Sequence, residues 1–187
     1  MVEAFGPLSA QMLLHIVAMN AAAPLLAMAV LRVSHAALAR LLLPATLVQV
    51  LLLWAWHSPP AVAATLHSDL LHGGMLASLF AAALLFWTAV FACREARWRA
   101  ILSLLVTGKL VCLLGVLLVF APRTLYPGLS GGAPAALADQ QLAGLLMLVA
   151  CPVTYLVAGV VLAARWLGRI DAAGRLPSDS RNARQAV

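Results

Sequence analysis

Residues 69–121 read DLLHGGMLASLFAAALLFWTAVFAC (69–93), REARWRA (94–100) and ILSLLVTGKLVCLLGVLLVFA (101–121). Two long apolar runs flank a short bridge that holds Arg94, Arg97 and Arg99. A helix needs about 20 apolar residues to cross a hydrocarbon core about 30 Å thick, and each run is that long. Arginine-rich loops stay on the cytoplasmic side of a membrane, so the bridge orients both spans.

Working outward, similar runs occupy residues 9–32, 38–57 and 140–164. Arg32 and Arg40 lie between the first and second runs, and Arg165, Arg169, Arg175, Arg181 and Arg184 follow the fifth. The other two loops, 58–68 and 122–139, carry Arg123 alone as a fixed positive charge. The pattern predicts an all-α membrane protein, a five-transmembrane-helix bundle with its N-terminus outside and its C-terminus cytoplasmic. Residues 1–169 form the membrane domain, and 170–187 form a basic cytoplasmic tail expected to be disordered, since it is polar and lacks an apolar period.

Composition agrees. Hydrophobic residues make up 64% of the chain and charged residues 10%, with a mean hydropathy of +1.01. A soluble domain of 187 residues has no core large enough for that apolar content. The net charge of +6 sits mostly in the loops just described, where it meets anionic membrane lipid rather than nucleic acid. The first ten residues carry no Lys or Arg, and the run that follows is too long for a signal peptide, so the first span is expected to be retained. Cys93, Cys112 and Cys151 are far apart and odd in number, which reads as buried small hydrophobes.

Proline and glycine punctuate the spans. Pro24, Pro44 and Pro152 predict kinks near Asn20, Arg40 and Leu148. Gly73, Gly74, Gly108, Gly115, Gly144 and Gly159 are candidates for close helix packing. Loop 122–139 is expected to form a partly ordered cap with Tyr126 at the membrane interface and a flexible tip at 128–134.

The polar residues inside the spans carry the functional expectation. Met12, His15 and Met19 share a helix face, as do Gln11 and His15, and His15 lies about 9 Å below the outer helix end at 1.5 Å per residue. His72 and Met75 reach a similar depth in the third span, and His57 closes the second. Imidazole with thioether suits copper, Cu(I) above all. Each of these side chains also has a structural reading: methionine fills apolar helices, and histidine near an interface hydrogen-bonds a carbonyl. Lys109, in the middle of the fourth span, is expected to face the bundle interior or to snorkel inward, with Thr107 and Thr154 as candidate partners. Asp139 is placed to cap the fifth helix, with ligand or partner contact as its other reading.

Four stretches resemble a known family: MLLHIVAMNAAAPLLAM at 12–28, WHSP at 56–59, APRTLYP at 121–127 and DQQLAGLLML at 139–148. In this order they are similar to the integral-membrane cytochrome c oxidase assembly factors of the CtaG type. The resemblance implies a non-enzymatic assembly factor in the bacterial plasma (inner) membrane. It would help copper reach subunits of a haem-copper oxidase at the outer face. His15, His57, Asp139 and Arg123 carry over on matching positions. The chain departs from the pattern at Gln11 and Leu76, where many relatives have His (or Gln in the second case), and at Thr124, where Pro is common. Met12, Met19 and Met75 would then serve as soft ligands beside His15 and His72. The alternative is a metal-free scaffolding subunit that docks on the oxidase through small-residue faces and loop 122–139. A haem protein is disfavoured by the 6% aromatic content, and a transporter by the lack of repeats.

Overall fold

The structure, a computed structural model, describes residues 6–30, 36–126 and 132–185, with side chains as far as Ala172. Among the described residues every regular element is helical. Four helical stretches are long and apolar enough to cross a membrane: Pro7–Ala29, Asp69–Ala92, Arg97–Phe120 and Gly132–Ala172. A fifth arises only if a sharply bent helix pair is counted as one span. The chain is a multi-pass membrane protein.

The first span shows how a proline is accommodated. Helix α1 (Pro7–Val17) passes through a π turn (Ala18–Ala22) into α2 (Ala23–Val30). The Ala23 amide donates five residues back, to the Ala18 carbonyl, and Pro24 has no N–H to offer the next one. The Met19 carbonyl is filled from another helix instead, by Trp87 Nε1 at 3.0 Å. Asn20 Nδ2 bonds the Ile16 carbonyl at 3.1 Å and reaches Cys151 Sγ at 3.4 Å. The expected kink near Asn20 is therefore a π turn, tied to two other helices.

The second run departs furthest from the expectation. It is not one helix from 38 to 57: a short α3 (Ala36–Ala39) ends in a turn at Arg40–Leu41, and α4 (Leu42–Trp56) starts beyond it. Pro44 falls in the first turn of α4, where a missing N–H costs nothing, so it begins a helix rather than bending one. At 15 residues α4 rises about 22 Å, short of a full crossing. The segment 58–68, expected as a loop, is largely helix α5 (Pro59–His67), set at 71° to α4. Pro59 opens the helix after an extended Ser58, a position proline favours.

Helix α6 (Asp69–Ala92) is the central element and packs against α2, α3, α4 and α5. Its Leu79, Ala83, Phe86, Trp87 and Ala89 are fully or almost fully buried. The Trp87 ring lies parallel to that of Tyr155 with centroids 5.6 Å apart. Gln49 Nε2 donates to the Tyr155 hydroxyl at 2.8 Å, giving the mid-bundle polar groups a shared bond.

Helices α7 (Arg97–Phe120) and α8 (Gly132–Gln185) form the most extensive pair. Gly115 and Gly144 make their close approach possible. A Cβ on Gly144 would sit 2.8 Å from Leu118 Cβ and 2.9 Å from the Gly115 carbonyl. Gly108 has ordinary room beside Tyr155, whereas Gly73, Gly74 and Gly159 face open space and bring no helices together. The α8 assignment runs unbroken past Pro152, where a kink was expected near Leu148. It also continues past 170 to Gln185. The tail was expected to be disordered; its side chains beyond Ala172, and most of the loop tip at 128–134, lie outside the described residues.

Candidate functional site

At the end of the bundle where α1 begins, one face of the first span turns Leu8, Met12, His15 and, in the π turn, Met19 inward, spaced three or four residues apart. His57 comes down on this face from the C-terminus of α4. Its backbone and its ring share one acceptor: the amide reaches the Leu53 carbonyl at 3.2 Å, and ring Nδ1 donates to it at 2.7 Å. His15 uses the same device, with Nδ1 donating to the Gln11 carbonyl at 3.1 Å. The two imidazoles meet edge to face, centroids 5.4 Å apart, and both are almost fully buried.

This arrangement fixes where the lone pairs point. A neutral ring that donates from Nδ1 carries its lone pair on Nε2. His57 Nε2 lies 3.2 Å from Met12 Sδ, and a thioether has no proton to donate. His15 Nε2 is buried with no hydrogen-bond partner among the described residues. His57 Nε2 and Met12 Sδ thus face each other without a donor between them, the His15 ring packs edge to face on His57, and both rings are oriented by backbone carbonyls as metal-ligating histidines are. The set is small. Among the described residues no three His, Cys, Asp or Glu side chains come together.

The other candidates surround this core at different distances from it. Gln11 Nε2 donates to Thr65 Oγ1 at 3.1 Å and approaches Met75 Sδ at 3.3 Å, so α5 is fastened across the site. His72 is half-buried and lines a cleft with Gln11, Thr65 and Asp69, a lining that does not include His15 or His57. Met19 is buried within the π turn, one turn of helix deeper than His15. His67 is exposed. Lys109 is exposed on the outer surface of α7. The threonines expected beside it do not bond it: Thr107 is buried without a partner among the described residues, and Thr154 bonds the Ala150 carbonyl at 3.4 Å.

Tyr126 is buried, and its hydroxyl donates to the His57 carbonyl at 3.1 Å. Burial pushes its phenol up to about 12, so it remains a donor throughout the neutral range. His57 is therefore held through its ring, its amide and its carbonyl.

Asp139 caps a helix, though not its own. It lies two turns inside α8, and its carboxylate accepts the Leu8 amide at 2.9 Å, the Ser9 amide at 3.0 Å and the Ser9 hydroxyl. These are the free donors at the start of α1, where negative charge is favoured. A Cβ on Gly6, the residue before α1, would overlap that carboxylate. Next to it Gln140, absent from the sequence-derived candidates, is fully buried. Gln140 Oε1 accepts the Leu125 amide at 2.7 Å, and Nε2 donates to the Leu118 carbonyl at 3.2 Å. The signal for it was an amide two residues from an apolar stretch, beside an acid already noticed. The Arg123 side chain is exposed.

Compared with known families, the chain matches the one described as cytochrome c oxidase caa3 assembly factor (Caa3_CtaG) over residues 6–169. That match spans every helix that builds the site. The chain belongs to the cytochrome c oxidase caa3 assembly factor family. The family is described by a role in oxidase assembly, and the matched region takes in the four motifs that suggested it. Comparisons with curated proteins and with solved structures found no match.

Proposed function

We propose that this assembly factor carries Cu(I) as cargo between His15 Nε2, His57 Nε2 and Met12 Sδ, and releases it to a cytochrome c oxidase subunit. The supporting observation is the unpartnered, buried His15 Nε2 beside the donor-free approach of His57 and Met12. In this reading five spans place the N-terminus and the site at the outer face of the bacterial plasma membrane. The bent pair α4–α5 counts as one span, and the arginine-bearing ends face the cytoplasm. Soft, low-coordinate ligation favours Cu(I), and three donors hold it weakly enough to pass on. Transfer is ligand exchange alone: donors on the oxidase replace those of the carrier one at a time, and no covalent bond of a substrate changes. His72 and Met75 flank the core and would receive the ion first.

The low ligand count favours one other reading, a metal-free scaffold that docks on the oxidase. Anaerobic Cu(I) titration of the detergent-purified protein separates the two. The carrier binds about one copper per chain and loses it in His15→Ala/His57→Ala, with helicity unchanged. No copper in the unaltered protein overturns the carrier and leaves the scaffold.

A further inference from the structure

At the opposite end of the bundle, Arg94, Arg97, Arg165 and Arg169 surround one cleft with Met28, Phe91 and Leu162. It lies where α2 and α6 end, α7 begins and α8 emerges. Its volume of about 510 Å³ falls within the ~300–1,000 Å³ typical of ligand sites. Among the described residues no carboxylate lines it; Glu95 lines the neighbouring cleft, with Arg40, Arg94 and Arg99.

Arg97 makes this more than a charged surface. It is only 8% exposed, and its Nε is buried without a hydrogen-bond partner among the described residues. A guanidinium stays charged in any protein setting, and leaving its buried Nε–H unpaired is unfavourable. Arg165 and Arg169, one helical turn apart on α8, add like charge instead of relieving it. Because Ala96 offers no side-chain cap, the first amides of α7 also present positive potential here. What would satisfy this set is an anion with several oxygens, and phosphate matches the guanidinium fork.

The apolar half of the lining identifies the source of the phosphate. Met28, Phe91 and Leu162 continue the cleft into the apolar flank of the bundle, where a free phosphate would have nothing to contact. An acyl chain would cover them. We propose that this cleft is a specific site for an anionic phospholipid, with the headgroup phosphate on Arg97, Arg165 and Arg169 and an acyl chain along Phe91 and Leu162. Basic pockets between membrane helices hold anionic headgroups by the same chemistry.

The test uses the full chain in phosphatidylcholine nanodiscs, with cardiolipin or phosphatidylglycerol titrated in and bound lipid counted by native mass spectrometry. About one anionic lipid per chain is expected to survive delipidation and raise the thermal midpoint, while inorganic phosphate at the same concentration does neither. Because Arg97→Gln is buried and risks misfolding, Arg165→Gln/Arg169→Gln is the second variant. Both positions are exposed, and the expected loss of lipid affinity is roughly tenfold. Equal retention of phosphatidylcholine would overturn the proposal. So would an equal effect of free phosphate, or unchanged binding in a correctly folded double variant.

Discussion

The carboxylate of Asp139 accepts both the amide and the hydroxyl of Ser9, a residue 130 positions earlier in the chain. The N-terminus of α1 is thereby fixed to α8, and the depth of His15 is set from there. Asp139→Ala leaves the Leu8 and Ser9 donors without their partner and should cost about 1–2 kcal/mol, the usual range for a lost cap. Gly6→Ala pushes on the same carboxylate. The two substitutions should be clearly non-additive when thermal midpoints are compared in a double-mutant cycle, and simple additivity would contradict the shared contact.

Trp87→Phe removes the donor that fills the Met19 carbonyl and should destabilise the bundle by about 1–3 kcal/mol. Pro24→Ala restores an N–H next to that carbonyl. In the Pro24→Ala background the Trp87→Phe penalty should therefore shrink. An equal penalty in both backgrounds would mean that Trp87 acts through ring packing on Tyr155 alone.

Two glycines of α8 should respond in opposite directions. Gly144→Ala drives a methyl group into Leu118 and the Gly115 carbonyl, so α7 and α8 must separate. A loss of about 1–3 kcal/mol is expected, as for other overpacking changes. Gly159→Ala meets nothing within 4 Å and should be neutral, or stabilising by up to about 1 kcal/mol from helix propensity. Reversible unfolding in mixed micelles would read both.

Met12→Leu conserves volume and should cost less than about 1.5 kcal/mol of stability. If Sδ is a copper ligand, the same change should weaken Cu(I) binding at least tenfold in competition with a chromophoric chelator. Unchanged affinity would remove Met12 from the site and leave the two histidines.

The helical bundle, its apolar runs and its polarity of charge were legible because length and hydropathy leave few alternatives in a membrane. The pairing at the site was less so. His15 and Met12 share a helix face by spacing alone. His57, however, reaches them only because α4 stops at Trp56 and the chain bends, which no period announces. Asp139 looked like a cap from its residue type and was one, but for a helix whose position depends on tertiary packing. Gln140 and Tyr126 gave little signal, since their importance lies in which carbonyls and amides the fold leaves open. Arg97 was indistinguishable in the sequence from Arg94 and Arg99. Only burial separates it.

The π turn at Ala18–Ala22 sets the rotational phase of the first span. It inserts one residue into the helical count, so that Ala23 and Ala27 stay on the inward line begun by Leu8, Met12 and His15. Without that extra residue, everything on one side would turn by about 100° relative to the other. Either Met28 would leave the arginine cleft, or His15 would swing away from His57. The two ends of the molecule are thus kept in alignment by a single surplus peptide unit.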